Sequence, residues 1–326
     1  MRYLNSTIIC TVLAGFLVAC GPDTGSDTST DTDQVTETEM TEGDMTPAMD
    51  DAPETQTQET EAASSIAVTR AGNPDGRTLV LIPGLASSDD VWDGTIEAMS
   101  DYDLRVVQVA GFAGADPVSD ISAEKIGDDI AAHLAAEAGN DTVLIGHSLG
   151  GFVAMRAALD HPNEIDELVI VDSLPYVAGL YMPEATPEMA ANMAQQMTQQ
   201  LANLPREQFD AQQQASFNRM SNKPETMPAL KEWGEASDQG TVATMMGELM
   251  GSDLRTEIGN LTQDVTVLVP FDPQMGTEKD QVRALYEAQY EAAPNVDIEV
   301  IDNSFHFIML DQPEAFYEAV NAEISD

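Results

Sequence analysis

The sequence Thr142-Val143-Leu144-Ile145-Gly146-His147-Ser148-Leu149-Gly150-Gly151 determines how the rest of the chain is interpreted. Its apolar first half predicts a buried strand, and the apolar spacing of residues 151–159 predicts a helix directly after it. Glycines stand two positions before and after Ser148, where a side chain would collide with a backbone folded tightly enough to expose the serine hydroxyl. The stretch therefore predicts a strand, a sharp turn and a helix, with Ser148 presented at the turn.

Residues 1–20 have the pattern of a signal peptide. Arg2 supplies a positive charge, and the apolar stretch from Ile8 to Val18 is short for a transmembrane span. The stretch closes on Leu17-Val18-Ala19-Cys20, which resembles the lipobox of bacterial lipoproteins. That resemblance implies cleavage before Cys20, lipid attachment to its thiol, and anchoring to a membrane of the bacterial cell envelope, with the outer membrane expected. The alternative is a simple secretory peptide with an incidental cysteine.

Residues 21–65 differ sharply in composition from residues 66–326. They are rich in Thr, Asp, Glu, Ser, Gln and Pro, and they contain no aromatic residue, lysine or arginine. Such a segment cannot bury enough apolar surface to offset its ordering entropy, and its like charges repel one another. We therefore expect residues 21–65 to form a disordered acidic linker between the membrane and residues 66–326.

The whole chain is acidic, with 57 aspartate and glutamate residues against 13 lysine and arginine residues, and a formal net charge of −44. Most of the acidic residues lie beyond residue 65, so the excess charge is not confined to the linker. A surface this negative repels polyanions. We therefore expect no nucleic-acid partner and no polyanionic substrate.

Apolar strand patterns alternate with helix patterns along residues 66–326. Strands are predicted at 78–83, 104–109, 142–147, 167–172, 265–269 and 296–301, and helices at 89–100, 122–138, 151–159, 279–291 and 313–322. This alternation predicts one α/β domain with a mostly parallel sheet covered on both faces. Residues 174–262 interrupt it with helical spacing broken by prolines, which predicts a helical cap over Ser148.

The chain from about residue 65 to 326 resembles the α/β-hydrolase fold. Gly146-His147-Ser148-Leu149-Gly150-Gly151 is similar to the nucleophile elbow of that family, and residues 304–314 are similar to its catalytic-histidine loop. The pattern is abbreviated at its start, because only residues 65–69 are available for the first strands. We expect the antiparallel hairpin at the edge of the family's sheet to be short or missing.

A serine hydroxyl is a poor nucleophile at neutral pH and needs a base. Among the four histidines of the chain, His133 lies within a predicted helix and His161 at a helix end. His147 adjoins the serine but points elsewhere on a tight turn. His306 lies between the last strand and the last helix, as the serine, acid, histidine order of the family implies. We expect His306 to be the base.

The acid that orients the imidazole has two candidates. Asp272 follows the predicted strand at residues 265–269, which is the family's usual place for it. Asp172 ends the strand after the elbow helix, a position that some relatives use instead. We expect Asp272 with Asp172 as the alternative, although Phe271-Asp272-Pro273-Gln274 lacks the family's common Gly-x-x-Asp turn.

The tetrahedral intermediate of acyl transfer needs two backbone donors. One is expected from the amide of Leu149, immediately after the nucleophile. The other is expected from Leu85, because Pro83-Gly84-Leu85 matches the family's His-Gly-x turn with a proline in the first position. No cluster with metal-ligand spacing and no dinucleotide fingerprint is found, so no metal and no cofactor are expected.

These features predict a serine hydrolase of the carboxylesterase kind, acting on small to medium apolar acyl esters. Other chemistry on the same fold and triad remains open: lactone, thioester or C–C bond hydrolysis, acyl transfer, or perhydrolysis. A non-enzymatic, surface-tethered binding protein is the third interpretation. An intact nucleophile, base and oxyanion loop argue against it.

Overall fold

The computed structural model describes residues 63–136, 141–182, 185–217 and 219–324, and it is built on a seven-stranded sheet. The strands are β1 (Ile66–Gly72), β2 (Thr78–Ile82), β3 (Asp103–Val109), β4 (Thr142–His147), β5 (Glu167–Val171), β6 (Asp264–Phe271) and β7 (Val296–Asp302). Their order is β1-β3-β2-β4-β5-β6-β7; β1 is antiparallel to β3, and every other pair is parallel. The predicted mostly parallel α/β sheet is confirmed.

Helices cover the sheet and form an insertion between β5 and β6. They are α1 (Asp93–Ala98), α2 (Ala123–Ala136), α3 (Leu149–Asp160), α4 (Pro187–Asn203), α5 (Arg206–Phe217), α6 (Met227–Ala236), α7 (Gln239–Gly251), α8 (Lys279–Gln289), α9 (Ile308–Asp311) and α10 (Pro313–Ile324). The inserted helices α4 to α7 lie within residues 174–262, as predicted for the cap. No helix in the described ranges is both long and apolar enough to cross a membrane.

Every residue of β2 is buried, because helices cover both faces of the sheet. Successive side chains of a strand point to opposite faces of the sheet. Leu79 and Leu81 join the core cluster that contains residues of α10, whereas Val80 and Ile82 join the cluster that contains residues of α2, α3 and the cap. Because both faces are covered, the four residues of β2 that follow Thr78 are all apolar.

The amino-terminal edge of the sheet is a single antiparallel strand, β1, in agreement with the expectation of a short edge. The residue before it, Ser65, is fully buried, and its backbone N and Oγ both donate to Asp129 Oδ2 at 2.6 Å. Ser65, the last residue of the predicted linker, is thus hydrogen-bonded to α2. The remainder of the predicted linker up to residue 62, and the predicted signal peptide with Cys20, lie outside the described residues.

Parallel pairing brings the carboxyl ends of the strands to one edge of the sheet. Ile82 pairs with Gly146, His147 with Val171, and Val171 with Leu268. The loops that leave these ends therefore meet at the same edge, which is where ligands bind in open parallel sheets. The predicted elbow, oxyanion loop, acid candidates and histidine loop all lie there.

Candidate active site

Ser148 stands at the turn between β4 and α3 with φ 54° and ψ −117°. A positive φ is uncommon for a residue with a side chain and marks a strained backbone. The turn is held to the neighbouring strand because the Ser148 backbone N donates to the carbonyl oxygen of Val171 at 2.9 Å. This is the sharp turn that the sequence pattern predicts, and Ser148 lines the cavity beneath the cap.

The two glycines that flank Ser148 are required by close backbone contacts. A Cβ atom on Gly146 would lie 2.3 Å from the carbonyl oxygen of Gly150, and one on Gly150 would lie 2.3 Å from the carbonyl oxygen of Ile82. Both distances are far below van der Waals contact, and the obstructing atoms belong to the backbone. The turn therefore packs as tightly as the glycine spacing indicates.

His306 lies in the loop between β7 and α9, and its backbone neighbours anchor that loop. The amide of Phe305 donates to Asp311 Oδ2 at 2.7 Å, and the amide of Phe307 donates to the carbonyl oxygen of Met220 in the cap at 3.0 Å. Asp311 is 1% exposed, and its burial raises the pKa of its carboxyl group. The same carboxylate accepts from Ser221 Oγ at 2.5 Å, so it joins the histidine loop to the cap.

The His306 ring is hydrogen-bonded to Asp172. Their Nδ1 and Oδ2 atoms are 2.6 Å apart, and the two side chains are 9% and 8% exposed. Asp172 follows β5 with φ 44°, and its amide donates to the carbonyl oxygen of Leu268 at 2.9 Å. A proton on Nδ1, directed at this carboxylate, leaves Nε2 of His306 as the acceptor.

The expectation that Asp272 pairs with His306 is corrected by this geometry. Asp272 Oδ1 accepts the backbone N–H of Gln274 at 2.8 Å, and Asp272 caps the short 3₁₀ turn Pro273–Met275. An aspartate followed by proline is a common start for a helical turn, because proline has no N–H to satisfy and its φ suits the first helical position. The Asp272 carboxylate is therefore engaged with its own turn, and the alternative candidate Asp172 is the partner of His306.

Two buried tyrosines of the α8 region contact this part of the site. The Tyr286 hydroxyl donates to the other carboxylate oxygen of Asp172, and the Tyr290 hydroxyl donates to the carbonyl oxygen of Ser173 at 2.9 Å. Burial, followed by the nearby Asp172 charge, raises the pKa of both phenols well above 10. Tyr286 is therefore protonated at neutral pH and serves as a donor. The sequence did not indicate this role, because no local pattern distinguishes Tyr286 from a tyrosine that only packs in the core.

His147 is fully buried beside His306, with ring centroids 4.5 Å apart. Burial, followed by the proximity of His306, lowers the pKa of His147 well below 6.5, so its ring is neutral. Its Nε2 lies 3.0 Å from the carbonyl oxygen of His306. Because a carbonyl oxygen only accepts, the ring carries its proton on Nε2 and helps to hold the histidine loop.

The two predicted oxyanion donors lie next to the elbow. A Cβ atom on Gly84 would be 3.2 Å from Ser148 Cβ, so the loop that carries Leu85 packs directly against the serine. No described residue accepts the Leu85 amide. Leu149 is the first residue of α3, where backbone N–H groups have no partner within the helix. Both amides are therefore free to bind an oxygen atom near Ser148.

Ser148 and His306 line one cavity, whose cap side is largely apolar. The cap contributes a polar residue, Gln213, together with Phe217, Met220, Leu230, Trp233, Val242, Met246 and Leu249. The centre of a water molecule can move through about 40 Å³ of this cavity. Within the described ranges Ser148 and His306 are not hydrogen-bonded to each other. Such bonds often close only when substrate binds.

In the part of the chain that the structure describes, no group of three histidine, cysteine, aspartate or glutamate side chains could hold a metal ion. The titratable groups of the site are instead paired among themselves, as Asp172 is with His306 and Tyr286. The pairing of Asp172 with His306, in a cavity that Ser148 also lines, is suited to proton transfer and nucleophilic attack by protein groups.

Comparison with known proteins supports the fold. The model of the alpha/beta hydrolase family matches residues 79–319. A pimeloyl-[acyl-carrier protein] methyl ester esterase from Proteus mirabilis (strain HI4320) is 29% identical over 256 residues, which are 76% of this chain and 92% of that protein.

Solved structures show the same fold. A thermophilic esterase from Thermogutta terrifontis superposes with a TM-score of 0.65 at 20% identity, over 80% of this chain and 93% of that one. An enol-lactonase from Burkholderia xenovorans LB400 superposes with a TM-score of 0.64 at 14% identity, over 82% of this chain and 100% of that one. The family model spans nearly all of strands β2 to β7 and the residues of the site, so the chain belongs to the alpha/beta hydrolase family and is an enzyme of the hydrolase class.

Proposed function

We propose that the protein is a carboxylesterase-type serine hydrolase in which Ser148, His306 and Asp172 form the catalytic triad. The observation that carries the proposal is the 2.6 Å contact between His306 Nδ1 and Asp172 Oδ2, in a cavity that Ser148 also lines from a strained turn. A serine, a histidine and a carboxylate in these positions have the roles of nucleophile, base and orienting acid.

In the first half-reaction, His306 Nε2 takes the proton of the Ser148 hydroxyl as Oγ attacks the ester carbonyl carbon. Asp172 holds the imidazole in the required tautomer and stabilises its charged form. The C–O bond to the alcohol then breaks, and the imidazolium returns its proton to the departing alkoxide. Water, deprotonated by His306, attacks the acyl-enzyme and releases the carboxylic acid and the free serine.

The amides of Leu85 and Leu149 stabilise the negative charge that develops on the carbonyl oxygen. Each such donor contributes on the order of 3 kcal/mol to the transition state. Because both belong to the backbone of elements packed against Ser148, they are in place before the reaction begins and need no reorganisation.

The apolar cap wall favours a neutral, apolar acyl group of small to medium size. The names of relatives are compatible with this class, since one is a methyl ester esterase and another an enol-lactonase. A lactone is an internal ester, so the same residues could open it by the same steps. The carboxylesterase assignment rests on the site and not on these names.

We also propose that the enzyme is anchored to the bacterial cell envelope, with the outer membrane as the expected site, through lipid on Cys20. The support is the Leu17-Val18-Ala19-Cys20 stretch after an apolar segment. The acidic residues 21–62 would then separate the hydrolase domain from the membrane.

A fluorophosphonate probe tests the nucleophile. It should label the wild-type protein and should fail to label the Ser148→Ala variant, and hydrolysis of 4-nitrophenyl butyrate should fall by about 10⁴-fold or more. Labelling is read by intact mass, and folding of the variant by circular dichroism. A folded wild type that neither reacts with the probe nor hydrolyses short acyl esters contradicts the proposal.

The two acid candidates are compared by a matched pair of substitutions. Asp172→Asn should lower kcat by about 10³ to 10⁴-fold, because the asparagine amide no longer supports the charged imidazole. Asp272→Asn should change kcat by less than about tenfold, since asparagine keeps an oxygen that can cap the turn at Gln274. Steady-state hydrolysis of one ester by both variants decides between them, and the reverse ranking would show that Asp272 is the acid.

The tyrosines offer a second matched pair. Tyr286→Phe removes a hydrogen bond to the Asp172 carboxylate and should lower kcat about tenfold with KM unchanged. Tyr290→Phe removes a buried hydroxyl that donates to the backbone carbonyl of Ser173 and not to Asp172, and should leave kcat within about twofold. Both variants should lose on the order of 1–3 kcal/mol of unfolding free energy. Equal loss of kcat in the two would mean that Tyr286 has only a structural role.

The anchor is tested by metabolic labelling with an alkyne analogue of palmitate in an expressing bacterium. The full-length protein and a Cys10→Ser control should carry lipid and partition into the detergent phase. Cys20→Ser should lose both properties. An unlabelled wild type that is released in soluble form would indicate a simple secretory peptide instead.

A further inference from the structure

Gln213 stands out in the cap wall of the Ser148 cavity. It lies on α5 and lines the cavity, and its residue is only 2% exposed. Its cap neighbours around the cavity have largely apolar side chains, such as Phe217, Leu230 and Met246. An amide at this position therefore interrupts a surface that is otherwise suited to hydrocarbon.

The donor end of the Gln213 side-chain amide has no hydrogen-bond partner. Among the described residues, Nε2 of Gln213 is buried and unpaired. A buried polar group left without a partner costs about 1–3 kcal/mol. Most buried polar groups in native proteins are satisfied, and an exception requires an explanation. An acceptor group of a substrate bound in the cavity would accept a hydrogen bond from this amide.

The space occupied by the Gln213 amide exists because residue 234 of α6 is a glycine. A Cβ atom on Gly234 of α6 would lie 2.4 Å from Gln213 Oε1 and 2.8 Å from Phe217 Cζ. Any side chain at position 234 would therefore displace the amide or its neighbour. The amide is seated between α5 and α6 and is held at the cavity wall rather than left free to turn to solvent.

The lining of the cavity also limits the kind of group that can reach Gln213. No lysine or arginine lines the cavity in the described residues, so a carboxylate on the acyl chain would be desolvated without a cationic partner. An amide N–H instead pairs well with a neutral carbonyl oxygen. The free space of about 40 Å³ accommodates about three water-sized groups, which suits a short acyl chain.

We propose that Gln213 is a specificity residue that binds a neutral carbonyl group, a ketone or an amide, carried by the acyl chain of the substrate beyond the scissile ester. The preferred substrates are thus short oxo-acyl or amido-acyl esters rather than plain alkyl esters. This inference rests on the proposed esterase function of Ser148 and names the substrate class of that site.

Matched pairs of esters test the preference. The 4-nitrophenyl esters of pentanoic and 4-oxopentanoic acid differ by one carbonyl in place of a methylene, and those of hexanoic and 5-oxohexanoic acid move that carbonyl one bond further. Wild-type enzyme should show a kcat/KM about tenfold higher for at least one oxo ester than for its parent, after correction for spontaneous hydrolysis of each ester.

The Gln213→Met variant keeps the length of the side chain and removes the amide. It should lower the ratio of kcat/KM for the preferred oxo ester to kcat/KM for its parent alkyl ester about tenfold. Its melting temperature should stay the same or rise, because an unpaired buried amide has been replaced by an apolar group. Gln213→Leu provides a second variant of the same kind if the first fails to fold.

Gln214→Met is the matched control on the same helix. The Gln214 amide is already paired with Glu235 Oε1 at 2.9 Å, and Gln214 does not line the cavity. Its substitution should leave the preference for the oxo ester unchanged.

Two results would overturn the inference: wild-type enzyme that shows no preference for either oxo ester, or a preference that survives in Gln213→Met. In both cases the alkyl esters are still hydrolysed, so the proposed esterase function stands. If wild-type enzyme hydrolyses none of the four esters, the proposed function fails and the inference fails with it.

Discussion

The site depends on the close approach of three backbone segments at the carboxyl edge of the sheet. Gly146 packs against Gly150, and Gly150 packs against Ile82 at the end of β2, with no space for a side chain at either glycine. The turn between these glycines contains Ser148 with its positive φ, and the contact of Gly150 with Ile82 places the amino end of α3 beside the loop after β2. One steric constraint therefore accounts for an exposed serine and for two free amides next to it, those of Leu85 and Leu149.

The rest of the site is arranged around a single carboxylate. Asp172 accepts from His306 on one oxygen and from Tyr286 on the other, so elements that follow β5, β6 and β7 converge on it. A buried carboxylate is stable when each oxygen has a donor. Asp311 has the same role one loop away, where it joins the histidine loop to cap residue Ser221. The cap is thereby fixed relative to His306, and the apolar wall and Gln213 are held above Ser148.

Local patterns predicted much of this arrangement, and tertiary contacts decided the remainder. The elbow around Ser148 follows from the glycine spacing of a short segment, and the place of His306 follows from the order of the motifs along the chain. The identity of the acid cannot be predicted in this way, because Asp172 and Asp272 both follow strands that end at the same edge of the sheet. The proline after Asp272 is the local signal that favours a capping role for it. Nothing local marks Tyr286 or Gln213, since their roles arise from what lies opposite them in the fold.

A crystal structure of the enzyme with a short alkylboronic acid, a mimic of the tetrahedral intermediate, tests the proposed triad most directly. We expect a bond between boron and Ser148 Oγ. We also expect one boronate oxygen within about 3 Å of both the Leu85 and Leu149 amides, and His306 still hydrogen-bonded to Asp172. Boron bound elsewhere, or His306 turned away from Asp172 to Asp272, would show that the proposed triad is wrong.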